Sequence, residues 1–174
     1  RCTDEGVLAG GPTLMAEVDE TAASIAFHQS RWCFFAAVEH GGNTNIYGSG
    51  FAGEQWSLLQ SVSGLTLPCL WASRRHLWLV GYVEDPLEGA AGRLTARRYD
   101  GHYAALPEIG DATTVGPSDE GLPAVLEMPT TGELIVLAPK LQDWDEEGAT
   151  PGIVEYRGHG YGYRWERRDV HEVT

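Results

Sequence analysis

What this chain has little of narrows the field before any motif is sought. Positive charge is scarce: 12 Lys and Arg stand against 25 Asp and Glu, a formal net charge of −13 over 174 residues. A nucleic-acid-binding surface needs a basic footprint, and an anionic membrane surface repels an acidic chain. Neither nucleic acid nor membrane is therefore an expected partner. No run of about 18 apolar residues occurs, so no membrane-spanning helix is expected. Cysteine is limited to Cys2, Cys33 and Cys69, an odd set without metal-ligand spacing. Cys33 and Cys69 lie in apolar, strand-like runs, where a buried free thiol is the expected state. The opening Arg1-Cys2-Thr3-Asp4 carries neither an initiator Met nor a signal-peptide pattern, which reads as a processed or excised piece. Amphipathic helix is missing too. The nearest candidate, Leu14 to Ala23, is short.

Gly (22) and Pro (9) are plentiful, and 43% of residues are hydrophobic against 21% charged. That is a globular profile with many turns. The length suits a single domain, 1–174, with a core of its own.

Self-similarity organises the chain. Ala23-Ser24-Ile25-Ala26-Phe27 and Trp32 to Val38 flank a short polar turn. Pro68 to Ala72 and Leu77 to Val83 flank another, and Pro123 to Glu127 and Leu134 to Ala138 a third. Each pair is a hairpin signal. The second run of each is apolar on both alternate faces, as in a strand covered on both sides. A Gly-rich loop and a third run follow each hairpin: Thr44 to Gly48, Gly92 to Tyr99, Gly152 to Tyr156. A fourth, aromatic-tagged run completes each unit: Gly53 to Leu59, Asp100 to Ala104, Gly162 to Glu166. The units are offset by 45 residues from Ser24 to Cys69 and by 55 from Cys69 to Ala124. Loops around Gly110 to Gly121 and Leu141 to Thr150 take up the longer offset.

Four short strands at that spacing predict β-propeller blades. The expected fold is all-β: a propeller-like array of about three four-stranded antiparallel blades, about 22–62, 65–109 and 120–168. A closed propeller has typically 4–8 blades, so the array is expected to belong to a larger or oligomer-completed ring. Another copy or another chain is the expected partner, and two copies making six blades is the simplest symmetric solution.

Ser49-Gly50-Phe51-Ala52-Gly53-Glu54-Gln55-Trp56 resembles the Asp-box of sialidase-type propellers, Ser-x-Asp-x-Gly-x-x-Trp, with Phe51 at the Asp position. The third unit keeps Gly162 and Trp165 with Gly158 and Gly160 at the Ser and Asp positions. The second keeps Asp100 with Ala105 at the Trp position. The wider unit, with Tyr99-Asp100-Gly101 and an aromatic, is similar to the repeats of bacterial and fungal propeller lectins. In the sialidase-type family the box is a structural turn between third and fourth strands, so the resemblance implies fold more than activity.

Two functions follow as expectations. The lectin resemblance implies shallow glycan sites between blades, where an aromatic face packs on the sugar and Arg or Glu hydrogen-bonds its hydroxyls. Trp56, Arg97, Tyr99, Tyr103, Glu155 and Trp165 are the candidates; the alternative reading of the Trp residues is that they lock each blade's outer strand into the core. The sialidase resemblance implies an arginine cluster, a Tyr–Glu nucleophile pair and an Asp acid, for which Arg74, Arg75, Arg97, Arg98, Tyr99, Glu155 and Tyr156 are available. Those arginines come as adjacent pairs, and strand neighbours point to opposite faces. Only one of each pair can serve a common pocket.

The six His show no metal pattern, and Asp143 to Gly148 reads as a solvated acidic turn. Gly158 to Gly162 opens no helix and is no phosphate loop. No catalytic residue, metal or cofactor is expected. The preferred expectation is a non-catalytic recognition or structural module, with carbohydrate as its small ligand, in a secreted, surface or virion assembly. A sialidase-like glycoside hydrolase fragment is the runner-up.

Overall fold

The computed structural model describes residues 23–28, 33–49, 56–72, 76–84, 92–99, 112–118, 121–140, 152–159 and 164–172. These form twelve strands in three antiparallel sheets of four, each with its strands in sequence order. Sheet 1 holds β1 (Ala23–His28), β2 (Cys33–His40), β3 (Asn43–Ser49) and β4 (Trp56–Ser63). Sheet 2 holds β5 (Thr66–Ala72), β6 (Leu77–Val83), β7 (Arg93–Tyr99) and β8 (Thr113–Pro117). Sheet 3 holds β9 (Ala124–Glu127), β10 (Leu134–Lys140), β11 (Gly152–His159) and β12 (Arg164–Glu172). No helix among the described residues is long and apolar enough to cross a membrane.

Local chemistry explains the sheets. Their second and third strands are rich in β-branched and aromatic residues, which suit a pleated, packed surface. The β2–β3 connection is the pair Gly41-Gly42, both at positive φ (58° and 74°). A two-residue hairpin turn needs that backbone to match the twist of its strands, and only glycine adopts it without strain.

Each sheet has a leading face, toward the sheet before it, and a trailing face, toward the sheet after it. Sheet 1 presents Cys33, Phe35, Ala37, Ile46 and Val62 to Leu70, Leu77, Leu79 and Tyr99 of sheet 2. Sheet 2 presents Trp78, Val80, Leu94, Ala96 and Val115 to Val125, Leu134, Val136, Ala138, Val154 and Tyr156 of sheet 3. The two cores share no residue, and sheet 2 is buried on both sides. This is the double coverage that the apolar second runs predict. Inner strand β5 abuts both β1 and β9, while outer strand β8 meets β11 and β12. The sheets therefore fan out from their first strands, as blades do.

Hydrogen bonds stitch the blades together. The Ser24 hydroxyl accepts from the Leu70 N–H at 2.9 Å, and the Thr44 hydroxyl donates to the Leu65 carbonyl at 2.7 Å. The Glu39 carboxylate, buried at the blade seam, accepts from the N–H of Leu67 at 2.7 Å. Leu67 has φ of 48°, at a bulge where β5 slips against β6. A non-glycine residue there is strained by on the order of 1–3 kcal/mol unless its surroundings hold it; the charged acceptor does so. Between sheets 2 and 3, Trp78 Nε1 donates to Glu127 at 3.2 Å and the Tyr156 hydroxyl to the Pro117 carbonyl.

One expectation needs correcting. The strand that pairs with β7 is β8, Thr113–Pro117, within the segment read from sequence as a connecting loop. Thr113, Thr114 and Val115 are β-branched, which favours extended backbone; the Gly and Pro around them hid a short strand. Asp100 to Ala104, the run read as that fourth strand, lies outside the described residues, as does the acidic turn Asp143 to Gly148. The other fourth strands start at or just past their aromatic tags, β4 at Trp56 and β12 at Arg164.

Leu79 is fully buried in the core between sheets 1 and 2. Leu79→Ala leaves a cavity there and is expected to cost about 2–5 kcal/mol, read as a lowered urea midpoint by far-UV circular dichroism.

Candidate functional site

The candidate ligand residues fall on different blade faces. Trp56 opens β4 opposite Ser49, which in turn is paired with Phe34. Opposed residues of antiparallel strands share a face, so Trp56 lies on the leading face of sheet 1. Arg97 is opposite Leu79 and Arg98 opposite Trp78, so this adjacent pair splits between the two faces of sheet 2. Tyr99 is 2% exposed within the core of sheets 1 and 2, which makes it a packing residue. Tyr103 lies outside the described residues, as do Arg74 and Arg75. Glu155 is opposite Leu137 on the trailing face of sheet 3. Trp165 is opposite Gly158, on the leading face of the same sheet. Within one chain these groups do not converge on one pocket.

Trp165 works as a staple between blades. A Cβ on Gly158 would meet its ring at 2.9 Å, so glycine is what allows the indole to lie flat on β11. Across the seam, Trp165 Nε1 donates to Thr113 Oγ1 at 3.2 Å. This agrees with the reading in which the tryptophans lock outer strands into the fold.

A charged network missed by the sequence reading occupies the trailing face of sheet 3. Glu155 and Arg157 are two apart on β11, hence on one face, and Glu155 Oε1 accepts from Arg157 Nε at 2.5 Å. Arg157 Nη1 also reaches Glu133 at 3.5 Å. His159 sits 3.6 Å from Glu133 and 3.4 Å from Glu166, and Arg168 is 3.5 Å from Glu166. The hydrogen bond that Arg157 donates to Glu155 holds its guanidinium above its ordinary range, against the smaller effect of desolvation. It therefore stays cationic at any working pH. The sequence signal was the alternation Glu155-x-Arg157-x-His159, a polar stripe on one strand face. The cluster offers fixed donors and acceptors beside the apolar Leu126 and Ile135, which share its face through the β9–β10–β11 register.

No set of three or more His, Cys, Asp or Glu among the described residues is placed to hold a metal. Cys33 is buried and Cys69 half-buried, both as free thiols. Burial pushes the Cys69 thiol up, opposed by smaller effects of hydrogen bonds with the Val125 backbone and the Ser24 side chain. Nucleophilic use of this thiol is disfavoured, since the thiolate is the reactive form.

Compared with solved structures, the arrangement is a familiar one. The chain is similar to the α-L-arabinanase of Penicillium chrysogenum, solved with arabinobiose, at a TM-score of 0.65 and 16% identity over 88% of this chain and 49% of that one. It is also similar to an α-L-arabinofuranosidase of Fusarium graminearum, solved with an iminosugar inhibitor, at 0.55 and 11% identity over 84% and 49%. The fold is a partial β-propeller. This chain spans about half the length of each of those propellers. No family model and no curated protein matches the sequence. At such identities the likeness carries the fold and leaves activity to be argued from the site.

Two measurements test these placements. Trp165→Phe and Thr113→Val are each expected to cost about 1 kcal/mol in urea unfolding, and the double variant less than the sum, because one hydrogen bond is removed twice. Iodoacetamide labelling of Cys69, followed by peptide mass spectrometry, is expected to lag a free peptide thiol at pH 8 and to rise only at higher pH. The sign follows from a raised thiol, which holds less thiolate at any given pH.

Proposed function

We propose that this chain is a non-catalytic recognition or structural module of a larger propeller assembly, with carbohydrate as its ligand class. The observation that carries the proposal is the Glu133–Arg157–Glu155 network, presented on the outward face of an end blade. Its guanidinium and carboxylates are donors and acceptors suited to sugar hydroxyls, and apolar Leu126 and Ile135 lie alongside them. The likeness to two propellers that act on or bind sugars supports the ligand class.

A glycoside hydrolase needs two carboxyl groups about 5–10 Å apart, one of which can hold a proton. Glu133 and Glu155 are both engaged by the same arginine, so each carboxylate already serves as an acceptor in a fixed ion-pair network. That argues for binding over turnover. The hydrolase alternative draws on the same two structural relatives.

The test is a glycan array that includes arabinan oligosaccharides and sialosides, paired with chromogenic glycoside assays. Saturable binding without turnover, weakened at least tenfold by Glu155→Gln, is expected. Turnover that disappears in Glu155→Gln would establish the hydrolase instead.

A further inference from the structure

Exposed large apolar side chains are distributed unevenly. Among the described residues they are Ile25, Phe27, Leu58, Leu122 and Leu126. Ile25 and Phe27 are opposite Ala36 and Phe34, and Leu58 is opposite Tyr47. All three are on the leading face of sheet 1, where the Phe27 ring also packs, tilted by 43°, against Phe34 with centroids 4.9 Å apart. Leu126 is on the trailing face of sheet 3, and Leu122 lies two residues before the same inner strand, β9. Ile25 is 64% exposed, Leu58 56% and Leu126 44%. The two seams inside the chain contribute none of these residues.

We infer that a second copy of this chain closes the ring, the leading face of sheet 1 in each copy packing on the trailing face of sheet 3 in the other. This rests on the assembly part of the function proposed above and is independent of the carbohydrate part. Leading-on-trailing packing already occurs twice within the chain, so the new seam continues an existing interface. The two faces match in layout. Their inner strands are apolar, with Ile25 and Phe27 on one and Leu126 on the other, while their outer strands place Asn45, Tyr47, Trp56 and Leu58 against Glu155, Arg157 and Glu166. The chain spans about half the length of each structural relative, so two copies suffice for one closed ring. The second copy supplies the other half, related by a two-fold along the ring axis, with two identical seams.

The internal repeat says what meets at the new seam. Leu77 is paired with Tyr99 and Leu134 with Gly158, so Ala96 in sheet 2 corresponds to Glu155 in sheet 3. Trp165 reaches Thr113, the residue opposite Ala96. Trp56 holds in sheet 1 the place that Trp165 holds in sheet 3: both lie on the leading face near the start of the fourth strand, Trp56 opposite Ser49 and Trp165, second in β12, opposite Gly158. By that correspondence Trp56 of one copy comes to the strand beside Glu155 of the partner subunit. An aromatic face and the charged network, apart in the single chain, then form one between-blade site. It is complete only in the dimer.

Size-exclusion chromatography with light scattering at micromolar concentration tests the ring without any sugar. The expected mass is twice 18.9 kDa. The leading-face variant Ile25→Arg/Leu58→Arg and the trailing-face variant Leu122→Arg/Leu126→Arg alter exposed residues, and each is expected to run as a folded monomer, with an unchanged far-UV spectrum. Mixing the two variants restores a dimer, because one seam then joins two intact faces. A soluble monomer of the natural chain, a mass other than double, a dimer indifferent to both variants, or a mixture that stays monomeric would each overturn the inference. If the dimer forms and the glycan array is blank, the ring stands and the carbohydrate reading falls.

Discussion

A four-stranded sheet that is apolar on both faces has to be covered on both faces, and the rest of this structure follows from meeting that requirement. Burying apolar area is worth roughly 25 cal/mol per Å², and a single small sheet cannot bury its own faces. Sheet 2 solves the problem by lying between two others. Leu77 and Leu79 go one way, Trp78 and Val80 the other, and all four are almost wholly buried. The twist of the strands turns each sheet relative to the last, so stacking yields a fan of blades instead of a flat pile. The seams are reinforced by polar groups that a purely apolar interface would not need, notably the Glu39 carboxylate on the strained Leu67 and the Trp165 indole on Thr113.

The same requirement makes the end blades the informative part of the molecule. Their outward faces keep the alternation of the inner ones yet leave Ile25, Leu58 and Leu126 in solvent. Sheet 3 carries more charge than sheet 2 on its trailing face: Glu155 stands where sheet 2 has Ala96, and Arg157, at the place of Arg98, presents its guanidinium between two carboxylates. The carboxylates of these pairs are largely buried, Glu133 16% and Glu155 15% exposed, with the guanidinium of Arg157 more open. They hold donors and acceptors in a fixed geometry on the face of β11, the feature on which the proposed recognition role draws.

Reading candidate ligand residues along a chain of repeats has a built-in hazard. Residues at equivalent positions of successive blades share a local environment without sharing a pocket, because each blade face meets a different neighbour. Tyr99 and Trp165 carry the aromatic signal of sugar contact, and both are used in seams, Tyr99 in the first core and Trp165 across the second. Trp56 occupies the equivalent place on a face that no described blade covers. The difference between structural staple and candidate contact is thus one of position in the array. No residue type or local spacing encodes it.

By itself the sequence determined the local elements: three hairpins, their third strands, and the double-sided burial of β2 and β6, all legible because strand periodicity and turn chemistry act over a few residues. It also implied the antiparallel four-stranded unit. It did not yield β8, since a five-residue strand inside a Gly- and Pro-bearing connector is stabilised by pairing with β7, and pairing partners are remote in sequence. Nor did it yield the Glu133–Arg157–His159–Glu166 network, whose members come from β11, β12 and the segment just before β10. Which face each aromatic and charged side chain occupies, and which faces remain open, was decided only in the tertiary structure, because register and blade order are long-range properties and side-chain direction follows from them.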